Sequence, residues 1–316
     1  MEAFAAVARQ TRYSVVKLDV DGNTVALAAV IDAHGLALTK ASEIRSGKLT
    51  GWLAGGKEVA AELIGIDEEN DVGLVKVRGD GLKPVEWSSE QVSVGQWAVT
   101  PGTESTPQAV GIISVPPRKI LHKRALIGVQ LDFHSSDARI AQIMGGMGAE
   151  KAGLKSGDVI LAVNVTPVNK REELTTTLRK FREGQSVKLR VRREEEEFDA
   201  EVRMMVPAPE RLGRRLDRQD RMNRLGGELS ERAEGFDLAI QHDTVLQPWQ
   251  CGGPLVNLEG KAIGLNIARA GRVASYALPA ELAKRISESL KREARANLKD
   301  KATFETSHPL GPAAQQ

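Results

Sequence analysis

The sequence is nearly without cysteine. Cys251 stands alone in 316 residues, so no disulfide can form within the chain, and that count is compatible with either an oxidising or a reducing compartment. An excess of one charge is also missing, since 44 Lys and Arg face 42 Asp and Glu for a formal net charge of +2. That balance describes an ordinary soluble surface and excludes the broad basic field on which nucleic-acid binding rests. Long apolar runs are absent too. None approaches the ~18 residues of a membrane-spanning helix, and residues 1–10 read without the charged start and apolar stretch of a secretory leader. No pair of histidines has metal-ligand spacing with a carboxylate or thiol, so neither a metal nor a cofactor is expected.

What is present is length enough for two domains, each with its own core. Up to about Arg118 short β-rich runs alternate with turns: Val15 to Leu18, Val25 to Ile31, Leu36 to Thr39, Val72 to Val77, Trp97 to Thr100 and Val110 to Val115. Such spacing predicts an antiparallel barrel or sandwich, a first segment over 1–123. Over 124–206 the texture changes, with a helix expected at about Arg171 to Phe181 and a hairpin of Val187 to Val191 with Phe198 to Val202 turning at Glu194 to Glu197. Residues 207–235 are polar and read as a solvated connector. The β-rich texture returns over 236–290, ending in a helix from Ala280 to Leu290, and 291–316 reads as a charged, frayed tail.

Three blocks carry a family resemblance. Val30-Ile31-Asp32-Ala33-His34-Gly35-Leu36-Ala37-Leu38-Thr39-Lys40-Ala41-Ser42 resembles the hairpin that delivers the catalytic histidine of the HtrA/DegP-type serine proteases, with Ser42 in that histidine's place. Asp67 to Val77 resembles the loop that supplies the aspartate, as Asp71. Gln247-Pro248-Trp249-Gln250-Cys251-Gly252-Gly253-Pro254-Leu255 resembles the nucleophile loop, with Cys251 in the serine's place and Trp249 where an oxyanion-hole glycine stands. Between them, Leu126-Ile127-Gly128-Val129 and Ala149 to Asn164 resemble the carboxylate-binding loop and central signature of a PDZ domain. The resemblance therefore implies a mainly β fold, a trypsin-like double β-barrel interrupted by an inserted PDZ domain. Because the insertion precedes the last strands, the barrel must be closed by two separated segments. It also implies an extracytoplasmic, periplasmic-type setting, and it leaves homo-oligomerisation open.

The chemistry expected of the triad positions is impaired. Acyl transfer needs a nucleophile, a base in reach, an orienting carboxylate and amides aimed at the developing oxyanion. Here Asp71 has no histidine to orient, and a thiol without a base stays protonated near neutral pH. His242, beside the nucleophile loop, reads as structural, and His34 as exposed. The alternative is an endopeptidase using Cys251 as nucleophile. The PDZ groove is better preserved. An extended C-terminal peptide would add as a strand beside the segment beginning at Gly128, its carboxylate held by backbone amides of Leu126, Ile127, Gly128 and Val129, with Leu174 and Leu178 shaping an apolar pocket. The expected partners are protein C-termini or unfolded polypeptide, and the expected role is a scaffold of protein quality control.

Overall fold

The structure, a computed structural model, describes residues 2–121, 125–206, 222–223 and 225–307, with side chains of the last helix described to residue 296. A short helix α1 (Ala5–Thr11) leads into six strands: β1 (Val15–Val20), β2 (Asn23–Val30), β3 (Leu36–Lys40), β4 (Leu49–Trp52), β5 (Glu58–Asp67) and β6 (Val72–Val77). They form a closed barrel in the order β1-β2-β3-β6-β5-β4. Val15 pairs with Ala29 across one side of β1 and Lys17 with Trp52 across the other. Inward-facing Val16, Leu18, Ala28, Val30, Val75 and Val77 fill the interior, as β-branched and small residues do on a pleated, half-buried surface.

The second barrel draws strands from both sides of the intervening domain. β7 (Trp97–Thr100) and β8 (Ala109–Ile120) come before it, and β15 (Phe236–His242), β16 (Pro254–Val256), β17 (Ala262–Arg269) and β18 (Ser275–Pro279) after it. The order is β15-β18-β17-β16-β7-β8, again closed. Closure from two separated segments thus holds for the second barrel alone, while the first is complete within residues 15–77. The two barrels do share a core, in which Ala29, Leu38 and Leu74 meet Leu265, Ile267 and Leu278.

A terminal helix covers that core. It contributes Ala283, Ile286 and Leu290 and runs from Ala280 to Ser307, well past the expected end at Leu290. The reason is local: from Lys291 onward the chain offers Ala, Lys, Arg, Glu and Leu, with no Gly or Pro before Pro309. The remainder of the expected tail, residues 308–316, lies outside the described residues. Among the described residues no helix is long and apolar enough to cross a membrane.

The intervening chain forms a second compact unit. It contains β9 (Val129–Leu131), β10 (Ile140–Ile143), α2 (Gly148–Lys151), β11 (Val159–Val163), β12 (Thr166–Pro167), α3 (Arg171–Leu178), β13 (Ser186–Arg193) and β14 (Glu196–Arg203); the terminal helix of the barrel unit is α4. A two-stranded β10-β9 sheet and a four-stranded β12-β11-β13-β14 sheet enclose Ile127, Ile140, Ile160, Leu174, Leu189 and Val202. The helix α3 stops earlier than expected, at Leu178, with Phe181 held by a turn bond to the Leu178 carbonyl. Asp158, 1% exposed, is gripped by Arg193 Nε at 2.8 Å and Nη2 at 2.9 Å.

Of the expected connector, residues 207–221 and 224 lie outside the described residues. Its end is not a solvated linker. Ser230 is buried and exchanges hydrogen bonds with Arg269, while Arg232 donates to the carbonyls of Glu68, Glu69 and Gly235.

Candidate functional site

Pairing of β3 with β6 brings the first two triad positions together. Lys40 lies opposite Val72, and the Ala41 amide donates to the Asp71 carbonyl at 2.8 Å. Asp71 takes φ +59, a left-handed conformation that Asp tolerates better than most residues. Its carboxylate accepts the Ser42 amide at 2.8 Å and the Ser42 hydroxyl at 2.9 Å. The sequence left Asp71 with nothing to orient; in the fold it orients the residue in the histidine's place. Asp71 is wholly buried, and burial pushes its carboxyl above the ordinary carboxylate value against the pull of Lys40 and Ser42.

Lys40 itself was missed by sequence reasoning. Its side chain is 0% exposed and its ammonium lies 2.9 Å from Glu43. The only signal was a charge closing the apolar run Leu36 to Thr39, a place where strand ends usually turn outward.

Cys251 is brought close to this corner by its backbone. Leu27 donates to the Cys251 carbonyl at 2.8 Å, and the Gly252 amide donates to Asn266 at 2.7 Å. Gly252 has φ +93, and a Cβ there would lie 2.2 Å from the Leu27 carbonyl oxygen and 3.0 Å from the Lys40 nitrogen, so only glycine fits this close approach. The thiol is 0% exposed, packed with Ala109 and Leu246. Its polar neighbours are the Gln247 carbonyl at 3.8 Å and the Ser230 hydroxyl at 4.0 Å. Burial pushes the thiol up to about 11, with Lys40 and Ser230 pulling weakly the other way.

The loop ahead of Cys251 is a 3₁₀ turn, Pro248–Gln250, closed by reciprocal bonds between Gln247 and Gln250. Within it Trp249 is half-buried, and the Cys251 amide donates inward to the Pro248 carbonyl at 3.1 Å. That amide is one an oxyanion hole would aim into a cleft. Beside the loop, Arg269 is 1% exposed and donates through Nη1 to the carbonyls of Gly226 and Leu246. His242 is buried, burial pushes its imidazole down to about 3, and its Nδ1 pairs with the Thr244 hydroxyl. His34 is exposed.

In the second unit the loop before β9 has a different character. Gly128 adopts φ +88, where a Cβ would meet the Met147 side chain at 2.1 Å. Among the described residues, the amides of Ile127 and Gly128 donate to no protein acceptor, whereas Leu126 is tied to Met205 at 2.8 Å. A cavity of about 280 Å³ opens beside them, lined by Leu126 to Val129 on one wall and Leu174, Thr175, Leu178 and Phe181 on the other. Leu174, 1% exposed, belongs chiefly to the core. Leu178 is half-buried and Thr175 is exposed, so those two form the accessible wall. Thr175 escaped the sequence reading because a threonine between leucines marks no pocket.

A family model described as a PDZ domain matches residues 125–204. Several curated relatives are each named "Probable periplasmic serine endoprotease DegP-like". The protein from Chlamydia trachomatis is 28% identical over 35% of this chain and 22% of its own length. That from Chlamydia pneumoniae is 32% identical over 30% and 20%, and that from Hahella chejuensis 24% identical over 48% and 50%. The chain is HtrA/DegP-like. It spans between about a fifth and a half of the length of these curated relatives. The HtrA/DegP-like chain thus pairs a double barrel with a PDZ domain in which the Leu126 to Val129 loop lines a cavity.

Proposed function

We propose that this protein is a non-catalytic HtrA/DegP-like scaffold that captures protein C-termini or unfolded polypeptide through its PDZ domain. The observation that carries the reading is the state of the Cys251 loop: the thiol is buried, its amide is bonded to Pro248, and Ser42 occupies the base position on Asp71. With burial raising the thiol to about 11, it stays protonated at pH 7, and among the described residues no imidazole is hydrogen-bonded to it. Peptide capture is supported by the loop of Ile127 and Gly128, whose amides have no acceptor among the described residues and which lines a cavity with Leu174, Leu178 and Phe181, since a terminal carboxylate held by several N–H groups makes charge-assisted bonds stronger than neutral ones.

Incubation with denatured casein tests the first half. No cleavage is expected from the wild type or from Cys251→Ala, and iodoacetamide at pH 7 should label the unfolded chain far faster than the native one. Turnover that disappears in Cys251→Ala would instead establish a cysteine endopeptidase.

A further inference from the structure

If the groove binds C-terminal chains as proposed, the path of the bound chain is set, and the residues along it carry a charge preference. The first cavity joins Leu126 to Val129 with the end of α3, and a second cavity of about 540 Å³ joins Val129, Leu131 and Phe133 with residues along the length of α3, reaching its first residue, Arg171, which lies over Phe133. Going forward along β9 is therefore going backward along α3. A peptide anchored by its carboxylate at Ile127 and Gly128 runs from the first cavity into the second.

Strand geometry fixes which side chain arrives there. Residues two apart point to the same face and lie about 6.7 Å apart, little more than one helical turn of ~5.4 Å. With the last residue between Ile127 and Leu178, the residue two positions earlier faces Thr175 and Arg171.

Arg171 is poised over that space. Its guanidinium lies 5.0 Å above the ring of Phe133, which is 72% exposed. Its Nε at 3.2 Å and Nη2 at 2.9 Å both donate to one exposed Glu172 oxygen, a surface pair that an incoming carboxylate can exchange with, while the buried Nη1 has no acceptor among the described residues. Arg179 lines both cavities, Lys180 and Arg182 line the first, and Glu172 is the lone carboxylate among the residues lining either. The groove is thus cationic along its length, and one exposed glutamate does not neutralise it.

We infer that the PDZ groove selects chains carrying Asp or Glu two residues before an apolar C-terminal residue, through Arg171 with support from Arg179. The guanidinium fork suits a carboxylate in either one- or two-point contact, and its seat on Phe133 reduces the freedom lost on pairing.

Fluorescence anisotropy of the full chain with labelled ten-residue peptides tests this. The peptides are identical except for Glu, Ala or Lys two positions before a terminal leucine, each made as free acid and as amide. The Glu free acid should bind about three- to tenfold more tightly than the Lys form at low salt, a margin that narrows as salt rises. Arg171→Ala should erase the margin and Arg171→Glu should reverse it. Preference for free acid over amide with equal affinity for Glu, Ala and Lys overturns the charge inference and leaves the groove reading standing. Equal affinity for acid and amide, or no binding, overturns both, and a Glu preference that persists in both Arg171 variants overturns the role given to Arg171.

Discussion

Asp71 shows how a residue kept at a triad position can serve the fold. It sits in the left-handed region, takes two bonds from Ser42 and has its carboxyl raised by burial. A raised folded value means that between the unfolded and folded pKa the native state holds a proton the unfolded chain has lost. Stability therefore falls as pH rises through that window, and the penalty is complete once pH exceeds the folded value. Asp71→Asn keeps the shape, suits a positive φ and removes the buried charge, so it should melt at or above the wild-type temperature at pH 7 and lose this pH dependence. A fall of more than about 3 °C, roughly 1 kcal/mol for a domain of this size, would show that the charge itself is needed. Ser42, Asp71 and Cys251 could be singled out from sequence because the motifs flanking them are long. Lys40, Ser230 and Arg269 could not be, since a charge or hydroxyl in a polar stretch carries no mark of the burial that tertiary contacts impose.

At the scale of elements, strands were legible where β-branched residues cluster, as in β6 and β7, whose bounds match the expected runs residue for residue. β4 and β5 went unseen. Leu-Thr-Gly-Trp and Glu-Val-Ala-Ala-Glu-Leu-Ile-Gly-Ile-Asp mix Gly, Ala and Glu on largely half-exposed faces, so the alternation that marks a strand is blurred. They are strands because the barrel needs them, β5 pairing with β6 and β4 with β1. Gly65 of β5 lies beneath α4, where a Cβ would make ordinary contact with Leu290 Cδ2 at 3.4 Å. Leu290 is 2% exposed against both barrels' shared core. Leu290→Ala should therefore cost about 2–5 kcal/mol, read as a lowered midpoint in urea with unchanged slope. A loss under 1 kcal/mol would mean that α4 is peripheral to the barrel unit.

For the whole molecule, the insertion divides what can fold alone. Residues 125–206 hold two sheets around their own core and should fold as an isolated fragment with a cooperative thermal transition. Residues 1–120 hold one complete barrel but only β7 and β8 of the other. They also bare Ala29, Leu38 and Leu74, which Leu265, Ile267 and α4 cover in the full chain, so that fragment should aggregate. A monomeric 1–120 fragment with a sharp melt would show that the barrels do not depend on each other.

The same split closure bears on the order of synthesis. The hairpin of β7 and β8 leaves the ribosome long before β15, its edge partner, with the whole second unit to be made in between. At roughly 5–20 residues per second that wait is on the order of ten seconds, during which a twelve-residue strand has one open edge able to recruit another chain. The first barrel can close at once, whereas the second waits for the final stretch of translation. A chain released early would carry a finished barrel, a finished PDZ domain and an unsealed strand.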